Sequence, residues 1–342
     1  MINLNRGINI GGYLSQCVHS QDHYRNSIGE EDIKRIAEWG FDHIRLPIDY
    51  EVLETDEGKK KPESYAFVSR AVLLCQKYHL NIVLDLHKAY GYDFNHAGDK
   101  SKNNLFSNDG LKQRFVNLWT NLAKEYQNFG HVAFELLNEV VEEENTDSWN
   151  GLIRDTVSAI RGIAKETPII YGGIRWNSAD TLKYLEVPQD NNIIFTFHFY
   201  EPLIFTHQKA YWVERMDKEK EIFYPESMDY YRKQSAALGI QGEPVVNSRS
   251  QSMGPEFIRE MVLEAVKAAE EAGVRLYCGE FGVIDQAPVK DTLRWFEDVD
   301  RVFREFNIGC ALWTYKEMDF GLTAPHYDEI REDLISLWTG RS

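Results

Sequence analysis

The sequence predicts an α/β protein: a single (β/α)8 TIM barrel over residues 1–342, with a small inserted cap at 202–253 in the loop after the sixth strand. Three observations lead there. Short apolar runs alternate with longer amphipathic ones from end to end, the signature of a parallel sheet with crossover helices. Eight apolar runs of strand length can be counted, the number a closed barrel needs, and about 250 residues suffice to build one. The surplus length falls after the third and sixth runs instead of forming a second alternating block.

In order, strands are expected at 7–10, 43–46, 81–86, 132–137, 168–171, 193–199, 275–278 and 309–313. Amphipathic helices are expected at 30–39, 69–78, 111–126, 148–166, 256–272 and 292–306. The stretch 202–253 far exceeds the usual βα loop of about 2 to 6 residues. It carries Phe205, Tyr211, Trp212, Phe223, Tyr224, Tyr230 and Tyr231, too aromatic for a flexible linker, and therefore reads as a folded cap. A second enlarged loop, 88–108, holds Tyr90, Tyr92, Phe94, His96 and Phe106.

Composition narrows the function. With 38 Lys plus Arg against 54 Asp plus Glu, the net charge of −16 repels phosphate backbones and anionic lipid, so neither nucleic acid nor a membrane is an expected partner. A neutral carbohydrate meets no such barrier. Cys17, Cys75, Cys278 and Cys310 form no CxxC pair and read as reduced thiols. The first residues lack a secretory signal and no run is long enough to span a membrane, so a soluble, cytoplasmic protein is expected, or a secreted one if a leader has been removed; a monomer is the expected state. GxGxxG, GxxxxGK[ST], GxSxG and a His-x-His cluster are all missing, so no nucleotide, metal or other cofactor is expected.

In a barrel, side chains at the strand ends converge on one face. The second strand ends with Arg45, the third with Asp85 and His87, the fourth with Asn138 and Glu139, the sixth with His198 and Tyr200, the seventh with Glu280, the eighth with Trp313. Strands four and seven stand across the barrel, so Glu139 and Glu280 can flank a sugar bound over its mouth. Two facing carboxyl groups are what glycoside hydrolysis requires: one protonates the leaving oxygen, the other attacks the anomeric carbon or activates water.

The runs Gly7-Ile8-Asn9-Ile10-Gly11-Gly12, His43-Ile44-Arg45-Leu46-Pro47, Leu84-Asp85-Leu86-His87, Phe134-Glu135-Leu136-Leu137-Asn138-Glu139, His198-Phe199-Tyr200 and Gly279-Glu280-Phe281-Gly282 resemble those of glycoside hydrolase family 5, cellulase family A. The resemblance spans nearly the whole chain and is strongest to the small bacterial endoglucanases and lichenases with a subdomain after the sixth strand. It implies a retaining hydrolase of β-1,4 or mixed-linkage β-glucan, with Glu139 as acid/base and Glu280 as nucleophile. Arg45 would then hold Glu280 ionised, Tyr200 would hydrogen-bond it, Asn138 would meet the sugar 2-hydroxyl, and His87 and His198 would bond substrate and carboxylates. Trp313 would stack on a pyranose ring. Trp212, Trp176, Phe205 and Tyr13 are further platform candidates.

Three positions depart from the family pattern. Lys88 stands where a second histidine is usual, Tyr13 where many members have Trp, and Val140 where many have Pro. A β-mannanase, a β-1,3-glucanase or a non-catalytic sugar-binding barrel are the competing readings; loss of a glutamate would signal the last, and both glutamates are present.

Overall fold

In the computed structural model, which describes residues 2–340, eight parallel strands hydrogen-bond in sequence order and the eighth returns to the first. They are β1 (Arg6–Asn9), β2 (His43–Asp49), β3 (Asn81–Lys88), β4 (Val132–Glu135), β5 (Ile169–Gly172), β6 (Ile193–Phe199), β7 (Arg275–Phe281) and β8 (Gly309–Leu312). Every residue of β2, β4, β5, β6 and β8 is buried, because helices cover the outer face and packed side chains the inner one.

The helices start and stop for local reasons. Glu30–Trp39 opens with Glu30, Glu31 and Asp32 at the positive end of its dipole, and Asp32 Oδ2 accepts the Gly29 N–H at 2.8 Å. It ends on Gly40, whose φ of 93° an L side chain rarely adopts. Pro255–Ala272 starts on a proline whose missing N–H costs nothing there, and Gly273 terminates it. Among the described residues no helix is long and apolar enough to cross a membrane.

The barrel interior is graded from bottom to top. Ile2, Leu4, Val83, Ala133, Ile170, Ile194, Tyr277 and Ala311 form an apolar plug. Two residues onward from Val83 and Ala133, on the same inward face, come Asp85 and Glu135. Asn9 and Arg45 stand side by side in the β1–β2 register. The core thus gives way to a polar layer directly below the mouth.

Some boundaries differ from expectation. Strand β2 extends to Asp49, so Arg45 lies inside the barrel and not at its rim. Strand β4 ends at Glu135 and β8 at Leu312, which places Asn138, Glu139 and Trp313 just beyond the ladders, where backbone direction is free to turn side chains inward. The helix expected at 148–166 is Thr146–Arg161, and that at 69–78 begins earlier, at Pro62. A closing helix, Arg331–Thr339, was not anticipated from the pattern.

The stretch 202–253 contains helices Leu203–Thr206, Met228–Ser235 and Glu243–Val246 with a 3-10 segment, Ala236–Gly242. It is fastened to helix Val289–Glu305. Asp291 Oδ2 accepts the Tyr224 N–H at 3.0 Å, and the Tyr224 hydroxyl donates to Asp298 at 2.8 Å.

Candidate active site

Arg45 is the hub of the polar layer. It is fully buried, and all five of its N–H donors are used. Nε and Nη2 grip Glu135 at 2.8 and 2.9 Å; Nη1 bonds Asn9 Oδ1 at 3.0 Å and Glu280 Oε1 at 2.7 Å; Nη2 also bonds Asn138 Oδ1 at 2.8 Å. Asp85 stands 3.1 Å away. One guanidinium thereby faces three buried carboxyls. Burial raises the carboxyl of Asp85 to about 7, even against the pull of Arg45. Burial raises Glu135 too, again opposed by Arg45.

Above this hub lie the two glutamates. Glu280 accepts from Arg45 on one oxygen and from the Tyr200 hydroxyl, at 3.0 Å, on the other. Glu139 Oε1 instead meets His198 Nδ1 at 2.7 Å, and the same nitrogen is 3.7 Å from Glu280 Oε2. Glu139, His198 and Glu280 each place one donor atom within 4.8 Å of the others. Glu139 is raised well above the ordinary carboxyl value, first by burial and then by the charge of Glu280. Burial raises Glu280 as well, but Arg45 and the Tyr200 hydroxyl pull it back. Arg45 therefore limits the rise of Glu280 without cancelling it, a smaller effect than the one expected from sequence. Desolvation lowers His198 well below its usual value and His87 to about 4, so both rings are neutral near pH 7.

The glutamates open into a cleft of about 980 Å³ that His87, Asn138, Tyr200, Trp212 and Trp313 also line. Trp313 is mostly buried, its ring parallel to that of His87 at 5.8 Å, and a Cβ on Gly11 would come within 3.0 Å of the indole. Trp176 and Trp212 face the cleft, whereas Tyr13 and Phe205 are buried in the core and cannot serve as platforms. Trp176 is held there with φ of 55°, and its N–H bonds to Val140 O at 3.1 Å, next to Glu139. Lys88 is not among the cleft-lining residues and pairs with Asp49 and Asp93, at 3.6 and 3.4 Å.

Of the strand-end residues singled out from sequence, His87, Asn138, Glu139, Tyr200, Glu280 and Trp313 line the cleft, whereas Arg45 and Asp85 lie in the buried layer beneath it and His198 is reached through Glu139. Asn9, Glu135 and Gln16 were missed. A Glu inside the apolar run Val132–Glu135 was a signal for a buried ion pair, and Asn9 between Ile8 and Ile10 was a similar one; nothing in the local sequence marked Gln16. Among the described residues, two side-chain clusters have donor spacing suited to a metal ion: Glu139, His198 and Glu280, and His19, Asp49 and Glu51. In the first, His198 Nδ1 is already committed to Glu139; in the second, the Lys88 ammonium supplies the positive charge a metal would bring.

The geometry has recognisable relatives. The family model "Cellulase (glycosyl hydrolase family 5)" matches residues 7–319. The chain is 38% identical over 349 residues to Endoglucanase C of Acetivibrio thermocellus, covering 100% of this chain and 99% of that one. It is 36% identical to Cellodextrinase A of Ruminococcus flavefaciens, covering 90% and 86% respectively. Among solved structures, endoglucanase Cel5A from the hyperthermophilic Thermotoga maritima superposes with a TM-score of 0.73 at 27% identity, covering 98% of this chain and 97% of that one. This chain is a glycoside hydrolase and belongs to glycosyl hydrolase family 5, the cellulase family.

Proposed function

We propose that the protein is a retaining endo-β-glucanase that hydrolyses β-1,4 and mixed-linkage β-1,3/1,4 glucans. The observation that carries this reading is the spacing of its two cleft glutamates, with an oxygen of each within 4.8 Å of the other. That matches the roughly 5 to 5.5 Å of retaining enzymes; an inverting pair stands about 6.5 to 9.5 Å apart to admit water.

The partners of each glutamate divide the work. Glu280 receives two donors, Arg45 and Tyr200, which stabilise the carboxylate needed for attack on the anomeric carbon. Glu139, raised further, retains the proton that the leaving oxygen takes. His198 is neutral and donates Nδ1–H to Glu139 Oε1, which leaves Oε2 to carry that proton. Once Glu280 is consumed as the glycosyl ester its charge is gone, the carboxyl of Glu139 falls, and Glu139 becomes the base for incoming water. Because Arg45 can only donate, the Asn138 atom facing it is Oδ1, and the amide N–H groups are turned toward the 2-hydroxyl. Trp313 floors the reacting sugar. Residues of 202–253, including Trp212, line the cleft, and that segment would serve as a cap over it.

The names of the relatives support a β-glucan substrate. A second reading, β-mannan or glucomannan, is favoured by one observation: Thermotoga maritima Cel5A, 26% identical, has been crystallised with mannotriose. Product release from mixed-linkage β-glucan, carboxymethyl cellulose, laminarin and glucomannan, with Glu280→Gln as blank, tests both. Fast release from mixed-linkage glucan supports the first reading, fast release from glucomannan alone the second, and silence on all four defeats both.

A further inference from the structure

We infer that Gln16 is a substrate-binding residue that reads two neighbouring hydroxyls of the sugar attacked by Glu280, and that Asp49 is the positioning residue that presents it. The inference rests on the hydrolase reading and extends it to a side chain that no sequence signal marked.

Gln16 lies in the loop after β1 and lines the cleft with His87 and Trp313. Its φ is 49°, a conformation that a side chain disfavours and that persists only when neighbours enforce it. The enforcing group is Asp49, the last residue of β2 and fully buried. Asp49 Oδ2 accepts the Gln16 N–H at 2.8 Å and His19 Nε2 at 3.1 Å, while Lys88 Nζ, 3.6 Å away, balances its charge. Lys88, one of the three departures from the family pattern, thus supports this loop through Asp49.

The far end of Gln16 is equally constrained. Its Nε2 lies 3.0 Å from His87 Nε2. His87 Nδ1 is 2.8 Å from Asp85 Oδ2, which also faces Arg45 Nη2 at 3.1 Å. Asp85 Oδ2, turned toward the Arg45 guanidinium, is the acceptor for His87, so Nδ1 carries the ring proton and Nε2 is an acceptor. Gln16 must then spend one N–H on His87, which leaves its carbonyl oxygen and second N–H for a ligand. An acceptor and a donor on one planar amide match two adjacent sugar hydroxyls.

Position gives the side of the cleaved bond. Glu280 is on β7, and Trp313, whose N–H bonds Phe281 O at 2.8 Å, follows β8. Gln16 follows β1, next in the barrel. Glu139, which serves the leaving group, follows β4 on the opposite side. Gln16 therefore meets the sugar that becomes bonded to Glu280.

The test is a double-mutant cycle of Gln16→Ala and Asp49→Ala, read on cellotetraose and on an aryl β-cellobioside, with cellotriose binding by calorimetry. Gln16→Ala should lower kcat/KM by about tenfold or more on both substrates, the loss of two sugar hydrogen bonds, and weaken cellotriose binding, at unchanged thermal stability. The double variant should lose no more than the worse single one, since Asp49 acts through Gln16. Activity of Gln16→Ala within about twofold of wild type, or a loss confined to cellotetraose, overturns the assignment of Gln16; additive losses overturn the role of Asp49. The Gln16→Ala arm stands whether or not Asp49→Ala folds. A wild type that binds cellotriose without cleaving any glycan defeats the hydrolase reading alone, and the Gln16 arm is then decided by the Kd.

Discussion

Arg45 Nη1 and Glu280 Oε1 are 2.7 Å apart, while the carboxyl of Glu139 takes the neutral ring of His198 instead. This unequal partnering separates two side chains of the same type into a group built to be charged and a group built to keep its proton.

Glu280→Gln keeps shape and a hydrogen bond to Tyr200 but has no nucleophilic oxygen. It should abolish turnover while changing unfolding free energy by no more than about 1 to 2 kcal/mol. Activity assays beside urea denaturation check both parts.

Glu139→Ala removes the proton donor. Loss on an aryl glycoside with a good leaving group should be far smaller than on polymer, because such a group departs unprotonated. Equal losses on the two substrates would contradict the acid/base role.

The pH profile of kcat/KM should be bell-shaped. Activity falls at low pH as Glu280 is protonated, with that limb above the ordinary carboxyl range because burial raises it. Activity falls at high pH as Glu139 loses its proton, with a limb displaced further upward. The two limbs belong to the pair, since each charge shifts the other.

Arg45→Ala would leave Asp85, Glu135 and Glu280 buried without their cation. It should destabilise the protein by on the order of 3 to 5 kcal/mol in addition to eliminating activity. Thermal unfolding measures the first effect, and a wild-type melting temperature would show that the hub is not structural.

Asp85 carries a stability signature of its own. Its pKa rises from 3.8 unfolded to about 7 folded, so the folded state binds the proton more tightly and this group's contribution to stability declines as pH rises through that window. Asp85→Asn should flatten the slope of unfolding free energy against pH between those values.

The barrel was legible because each strand is an apolar run between helical periods, and function-bearing residues of a barrel concentrate where those runs stop. Glu139 and Glu280 were therefore visible as charged residues at the ends of two runs. What sequence could not convey was depth. The apolar run His43–Leu46 puts Arg45 at a rim, although β2 continues in register with β3 through Pro47 to Ile48 and, past a register shift, to Asp49. Tyr13 and Phe205 have the same chemistry as Trp176 and Trp212, and only packing decides which rings are buried and which face the cleft. Gln16 was invisible because its importance comes from Asp49 and His87, 33 and 71 residues away in sequence.

Proton NMR of cellotetraose hydrolysis, followed from the first turnovers, tests the double-displacement mechanism most directly. Attack by Glu280 and then by water inverts the anomeric carbon twice, so the β-hemiacetal signal should appear first and the α signal only later, by mutarotation. An α signal that appears first would contradict the mechanism and the nucleophilic role of Glu280 with it.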